Sequence, residues 1–192
     1  MKVLLTGAAG VLGRAVAAAL REEPDVELHL ADRDPLDAPE PFVRADLSDW
    51  AEAQPLCEGM DQVLHVAAIH PWKDYTPDQY VDCNIKGTWN ICRSAAGAGV
   101  RRVIYTSSIS AIGYQPAGPH ELPFDESTPC RPDDLYGITK HVGEQICDSF
   151  RRREGLTYVA LRPGCFIPAD EMEPEFGFGL LSHRVHWSDV VR

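Results

Sequence analysis

The sequence predicts an α/β fold built as a doubly wound parallel sheet between two helical layers, three layers in all. Two observations predict it. Short apolar, β-branched runs alternate with longer segments of helical period, as successive βαβ units require. Directly after the first run, Gly7, Gly10 and Gly13 punctuate a turn that leads into an amphipathic helix. Glycine spacing of this kind lets the chain reverse tightly and pack helix close to strand.

In chain order the expected strands are Val3–Thr6, Val26–Ala31, Phe42–Ala45, Gln62–Val66, Arg102–Ser107 and Thr157–Leu161. Each is a short run rich in Val, Ile, Leu, Tyr or Phe and bounded by polar or turn-forming residues. Between them, Val11–Arg21, Asp49–Cys57, Pro77–Ala98 and Asp133–Arg153 carry the helical period. The third helix has a clear start, because Thr76 can cap the free amides while Pro77 takes the first helical position. A Pro- and Gly-rich loop, Gly113–Arg131, precedes the last long helix, and loops of that length are usually functional or mobile. After Pro163 the chain runs through Pro, Gly and acidic residues without a clear strand. The expected division is therefore 1–165 as the sheet domain and 166–192 as the remnant of a substrate-binding segment.

With 192 residues, 44% hydrophobic and 24% charged, the chain can bury one sizeable core. A net charge of −11 argues against a protein that works by neutralising nucleic-acid phosphates, and the only basic run, Arg151–Arg153, fits a solvated helix end. No apolar run reaches the length of a membrane span, so no membrane partner is expected. The six cysteines form neither a C-x-x-C pair nor a Cys/His cluster, which points to a reducing cytoplasm and to no metal site.

The glycine turn is the Rossmann-type fingerprint, whose free amides and positive helix end hold a pyrophosphate. Gly7, Gly10, Val11, Leu12 and Gly13 are therefore candidate cofactor contacts. Asp32 ends the second strand, 19 residues after Gly13, where a carboxylate can bond both adenosine ribose hydroxyls. That charge repels a 2′-phosphate and favours NAD over NADP, although the neighbouring Arg33 could accept such a phosphate. Asp46 and Leu47 close the third strand, where a carboxylate can bond the adenine amino group and an apolar chain can cover the ring. Ala67 and Ala68 end the fourth strand as small residues beside a dinucleotide or simply as buried ones. Pro163 and Cys165 follow the sixth strand, near the place where a nicotinamide should rest.

Tyr136 and Lys140 lie four residues apart on one helix face. Ser108 ends the fifth strand and Asn84 lies in the preceding helix, so the four could converge at the carboxyl edge of a parallel sheet. Tyr136 would take the proton of a secondary hydroxyl as hydride leaves the same carbon for NAD. Lys140 and the oxidised nicotinamide would lower its pKa, Ser108 would hold the oxygen, and Asn84 could position a water or the helix.

Taken together, these motifs resemble the extended short-chain dehydrogenase/reductase superfamily, the NAD-dependent epimerase/dehydratase group. Within it the chain is similar to the short uronate-dehydrogenase-like members, through 31–37, 107–114 and the approach to Leu181 and Ser182. The resemblance implies bound NAD, a Ser/Tyr/Lys set, a small-molecule substrate such as a sugar or sugar acid, and often a homodimer. It also implies a substrate lobe beyond a segment similar to 184–191, so a reduced C-terminal lobe is expected here. Where that subgroup has Asn and His after the serine pair, this chain has Ile109 and Ser110. His70 replaces a small hydroxyl residue, and Arg184 stands near the place of the arginine that binds a substrate carboxylate. His70, Ser110 and Arg184 are thus the candidate substrate contacts. The alternatives are an enzyme like a nucleotide-sugar epimerase or dehydratase, and a noncatalytic NAD(H)-binding module.

Overall fold

The computed structural model describes residues 1–113, 125–167 and 184–186, with 165–167 and 184–186 described as backbone. Six strands form one parallel sheet in the order β3-β2-β1-β4-β5-β6. They are β1 (Lys2–Thr6), β2 (Glu27–Asp32), β3 (Phe42–Arg44), β4 (Gln62–His65), β5 (Arg102–Thr106) and β6 (Thr157–Leu161). The strand order changes direction between β1 and β4, and the carboxyl ends there are level, with Thr6 opposite both Ala31 and His65. Such a switch point opens a crevice in which doubly wound sheets bind their ligands.

Alternation along the strands builds two cores. Val3 and Leu5 of β1 and Leu28 and Leu30 of β2 face Leu12, Val16 and Ala17 of α1 (Val11–Arg21). On the opposite face, Leu4, Val63, Val103 and Tyr105 pack on α4 (Gly87–Gly97) and α5 (Leu135–Glu154) through Ile91, Cys92, Ala95, Ile146 and Phe150. Burial of each such aliphatic side chain contributes about 1.5–3 kcal/mol. The layers are complete over β1 and β2, whereas Val159 and Leu161 of β6 remain 42% exposed each.

Two expected helices are broken, each for a local reason. The one over Asp49–Cys57 is α2 (Trp50–Ala53), capped by Asp49, followed by a tighter 3-10 turn over Gln54–Cys57. Pro55 has no N–H to continue the α pattern. The one over Pro77–Ala98 is α3 (Pro77–Tyr80), a π turn over Val81–Lys86, and then α4. Thr76 and Gln79 form the expected start as a full capping box. The π turn adds a residue to one turn of helix, a distortion common at functional sites, and it carries Asn84. The expected start of the last helix at Asp133 shifts to Leu135, because Asp134 is its cap.

The expectation of no strand after Pro163 is corrected by β7 (Cys165–Ile167) and β8 (Arg184–His186), which pair in parallel. Three residues are too few to show strand alternation in a sequence. The expected boundary at residue 165 falls within β7. No described helix is long and apolar enough to cross a membrane. Of the long loop, 114–124 lies outside the described residues.

Candidate active site

At the switch point, a cleft of about 410 Å³ runs from the glycine turn to Tyr136 and Lys140. Gly7 has φ +75°, and a Cβ on Gly13 would come within 2.0 Å of the Gly7 carbonyl oxygen. Only glycine allows α1 to begin this close to β1. The start of α1 follows a loop with no cap, whereas α4, also uncapped, continues directly from the π turn. Asp49, Thr76 and Asp134 cap α2, α3 and α5, whereas Gly10 gives α1 no side-chain cap and its first turn holds no acid. The Gly10 N–H closes the turn onto the Gly7 carbonyl at 3.1 Å, and the free amides of Val11–Gly13 line the cleft, a donor set that fits a pyrophosphate.

Asp32 organises this end. One carboxylate oxygen accepts the N–H of Ala9 in the turn at 2.8 Å and the other accepts that of Asp34 at 3.0 Å. Both oxygens keep a lone pair for ribose hydroxyls. Arg33, Asp46, Leu47, Ala67 and Ala68 line the same cleft, as do Gly7, Gly10, Val11, Leu12, Gly13 and Pro163. The backbone of Cys165 begins β7, and its side chain lies outside the described residues.

Ser108, Tyr136 and Lys140 line the other end. Burial pushes the Tyr136 phenol up to about 12, while its hydrogen bond with Ser108 works the other way. Lys140 is almost completely buried, and burial pulls its ammonium down to about 8. Its Nζ donates to the Thr106 carbonyl at 2.7 Å and lies 5.7 Å from the centre of the Tyr136 ring. Its ammonium is thus tied to the main chain at the end of β5, beside the tyrosine ring. Positive charge brought into the cleft would favour the phenolate of Tyr136.

Asn84 stands behind the cleft rather than in it. Its Oδ1 accepts the Ile69 N–H at 2.8 Å, and its Nδ2 donates to the Ile69 carbonyl and to Thr139 Oγ1 at 3.1 and 3.0 Å. Thr139 in turn donates to the Tyr136 carbonyl at 2.8 Å. Asn84 thus fastens the segment after β4 to the helix bearing Tyr136, with both amide hydrogens already used. Of the substrate candidates, His70 lines the cleft, and Ser110 lies off it in a 3-10 turn, donating its N–H to Ser108 Oγ at 3.1 Å. The side chain of Arg184 lies outside the described residues.

The structure adds residues that the sequence reading missed. Glu144 accepts Ser107 Oγ at 2.6 Å and two guanidinium bonds from Arg162 at 2.8 and 2.7 Å. Burial alone would raise this carboxyl, but the Arg162 and Ser107 bonds outweigh it and hold the carboxyl below its ordinary value. Glu144 is four residues after Lys140, so the helix face that carries Tyr136 and Lys140 could have pointed to it. Cys130, His141 and Glu144 place ligand atoms within 4.8 Å of one another. Arg162 already donates to the Cys130 sulfur at 3.1 Å and to the carboxylate, so a guanidinium is the cation held there.

The strand order and the uncapped helix at the switch point define the Rossmann class. Within that class, residues 3–174 match the NAD dependent epimerase/dehydratase family, and the chain belongs to it. It is 32% identical over 172 residues to a uronate dehydrogenase of Pseudomonas putida, covering 87% of this chain and 62% of that protein. It is 32% identical over 171 residues to a UDP-glucose 4-epimerase of Lactobacillus helveticus, covering 84% of this chain and 51% of that one. The crystal structure of uronate dehydrogenase from Agrobacterium tumefaciens superposes with a TM-score of 0.84 at 32% identity, covering 99% of this chain and 68% of that one. The chain thus spans less than two thirds of the length of the two sequence relatives.

Proposed function

We propose an NAD-dependent dehydrogenase that transfers hydride from a secondary hydroxyl of a small polar substrate, a sugar or sugar acid, to NAD. The observation that carries this reading is the placement of Ser108, Tyr136 and Lys140 at one end of a cleft whose other end is the uncapped start of α1. Bound NAD would supply the hydride acceptor and a positive ring. Ser108 would hold the substrate oxygen, and Tyr136 would take its proton as the C–H bond breaks. Lys140 would bond the nicotinamide ribose, exchanging the Thr106 carbonyl for it, and its charge would favour the phenolate. Asn84 would keep the Tyr136 helix in register with the segment after β4.

A homodimer through the π turn, α4 and α5 is supported by the exposed Val81, Trp89 and Ile138, one on each. The free thiols of Cys57, Cys83, Cys92, Cys130 and Cys147 fit a reducing cytoplasm. The similarity to an epimerase supports a second reading, in which the same residues oxidise a nucleotide sugar and NADH is retained.

The test is the near-ultraviolet absorbance of NADH with uronic acids, aldoses and secondary alcohols. Free NADH should accumulate, and Tyr136→Phe should lower turnover about 10²–10⁴-fold with NAD affinity kept. NAD binding without turnover would point to a noncatalytic module, and oxidation without NADH release would point to the epimerase reading.

A further inference from the structure

Two buried asparagines stand on one run of helix behind the cleft, Asn84 in the π turn and Asn90 in α4. Asn84 fastens the reacting end, through Ile69 and Thr139. Asn90 reaches toward the other end. Its Nδ2 donates to the Leu47 carbonyl at 2.9 Å and to the Ser48 carbonyl at 3.3 Å. These carbonyls belong to the turn after β3, the turn that brings Asp46 and Leu47 to the cleft. An aliphatic side chain at position 90 would leave the Leu47 carbonyl buried without this donor.

The turn's own bonds fix its shape rather than its place. The Asp46 carboxylate accepts the Ser48 N–H at 2.8 Å, and the Glu52 carboxylate accepts the Asp46 N–H at 2.7 Å. Both are local and move with the segment. The sheet gives it a slight anchor, because β3 is an edge strand of three residues, none of them buried. The bond from Asn90 crosses to another layer, and Gly87 lets α4 come close enough to make it. A Cβ on Gly87 would lie 3.3 Å from the Leu47 Cβ.

We infer that Asn90 is a positioning residue for the cofactor, holding the Asp46–Leu47 wall at the distance from the glycine turn where the Asp46 carboxylate meets the adenine amino group. The inference rests on the reading of Asp46 as an adenine contact and adds the residue through which α4 sets that contact. A single run of helix then governs both ends of the cleft, Asn84 at the reacting end and Asn90 at the adenine end.

The test compares NAD with its analogue in which hypoxanthine replaces adenine. The analogue carries a carbonyl oxygen where adenine carries the amino group, so a carboxylate has nothing to accept there. Affinities of the 192-residue chain are measured by calorimetry. The parent should bind NAD about 10- to 100-fold more tightly than the analogue, the range for a hydrogen bond to a charged group. Asp46→Ala should abolish that preference. Asn90→Ala should lower it toward the Asp46→Ala value, and Asn90→Gln, which keeps the donor but sets the turn one methylene farther out, should fall between Asn90→Ala and the parent. A structural asparagine would instead weaken both dinucleotides by one factor and leave the preference unchanged, which would sink the role of Asn90 alone. If Asn90→Ala does not fold, Asn90→Gln decides, and an unchanged preference there overturns the inference. A parent that binds neither dinucleotide, or both equally, or an Asp46→Ala variant that keeps the preference, would sink the adenine reading of Asp46 and this inference with it.

Discussion

The two ends of the cleft are made in different ways. At the glycine turn, the groups offered to a ligand are backbone amides, held by residues within one βαβ unit: the turn itself, the start of α1 and Asp32. At the reacting end, the groups are side chains from separate segments, Ser108 after β5, Tyr136 and Lys140 on α5 and His70 after β4, held in place by bonds such as Asn84 to Thr139 and Glu144 to Arg162. The first end depends on what the chain lacks, namely side chains and a cap. The second depends on polar groups whose burial has to be offset. Shape should therefore govern loss at one end and pairing at the other.

The largest effect is expected at the glycine turn. Gly13→Val places a branched side chain where even a Cβ would meet the Gly7 carbonyl oxygen at 2.0 Å. Dinucleotide affinity, measured by calorimetry, should fall more than about 100-fold, with stability lowered by roughly 3 kcal/mol or more. Retained affinity would break the claim that backbone shape makes this end.

Glu144→Ala should come next, because it leaves the Arg162 guanidinium without its carboxylate. Chemical denaturation should show a loss of about 3–5 kcal/mol. Removing Glu40, the partner of Arg21 at the surface, should cost at most about 1 kcal/mol. Similar losses for the two would mean that pairing at the reacting end is not special.

The smallest effect has the opposite sign. Lys140 titrates at about 8 in the folded chain against a reference value of 10.5. Between those values the unfolded chain holds the proton and the folded chain does not, so stability rises with pH across that window. Lys140→Met should lack this rise and should be more stable at pH 7 by about 1–3 kcal/mol, while turnover is lost. A variant less stable than the parent would show that the bond to the Thr106 carbonyl outweighs the burial of charge.

The same contrast explains what could be read from the sequence. Gly7, Gly10, Gly13 and Asp32 form a local pattern whose physical demand is satisfied within one βαβ unit, and the structure places all four on the cleft. Tyr136 and Lys140 were legible through their helical spacing, and Ser108 through its place at the end of a strand. Arg162 was not, because nothing around it announces a partner 18 positions away on another element. The π turn was hidden because an inserted residue hardly disturbs the apolar pattern of a long helix. Pro55 marks the end of α2, a local signal that the helical periodicity over Asp49–Cys57 does not carry.

The environment of His65 has one more consequence. Thr88 Oγ1 donates to the Asn84 carbonyl at 2.6 Å, so it must receive the Nε2 proton of His65, and Thr6 must then donate to Nδ1. Thr6 Oγ1 also accepts the Ala67 N–H at 3.4 Å. Every proton in this line points the same way, from the strand end beside the cofactor cleft to the helix behind the reacting end. The ring tautomer is consequently dictated by a main-chain oxygen. For sequence change this makes positions 6, 65 and 88 one epistatic block: replacing any single member strands the hydrogen-bonding group of its neighbour, and a tolerated path has to alter several together.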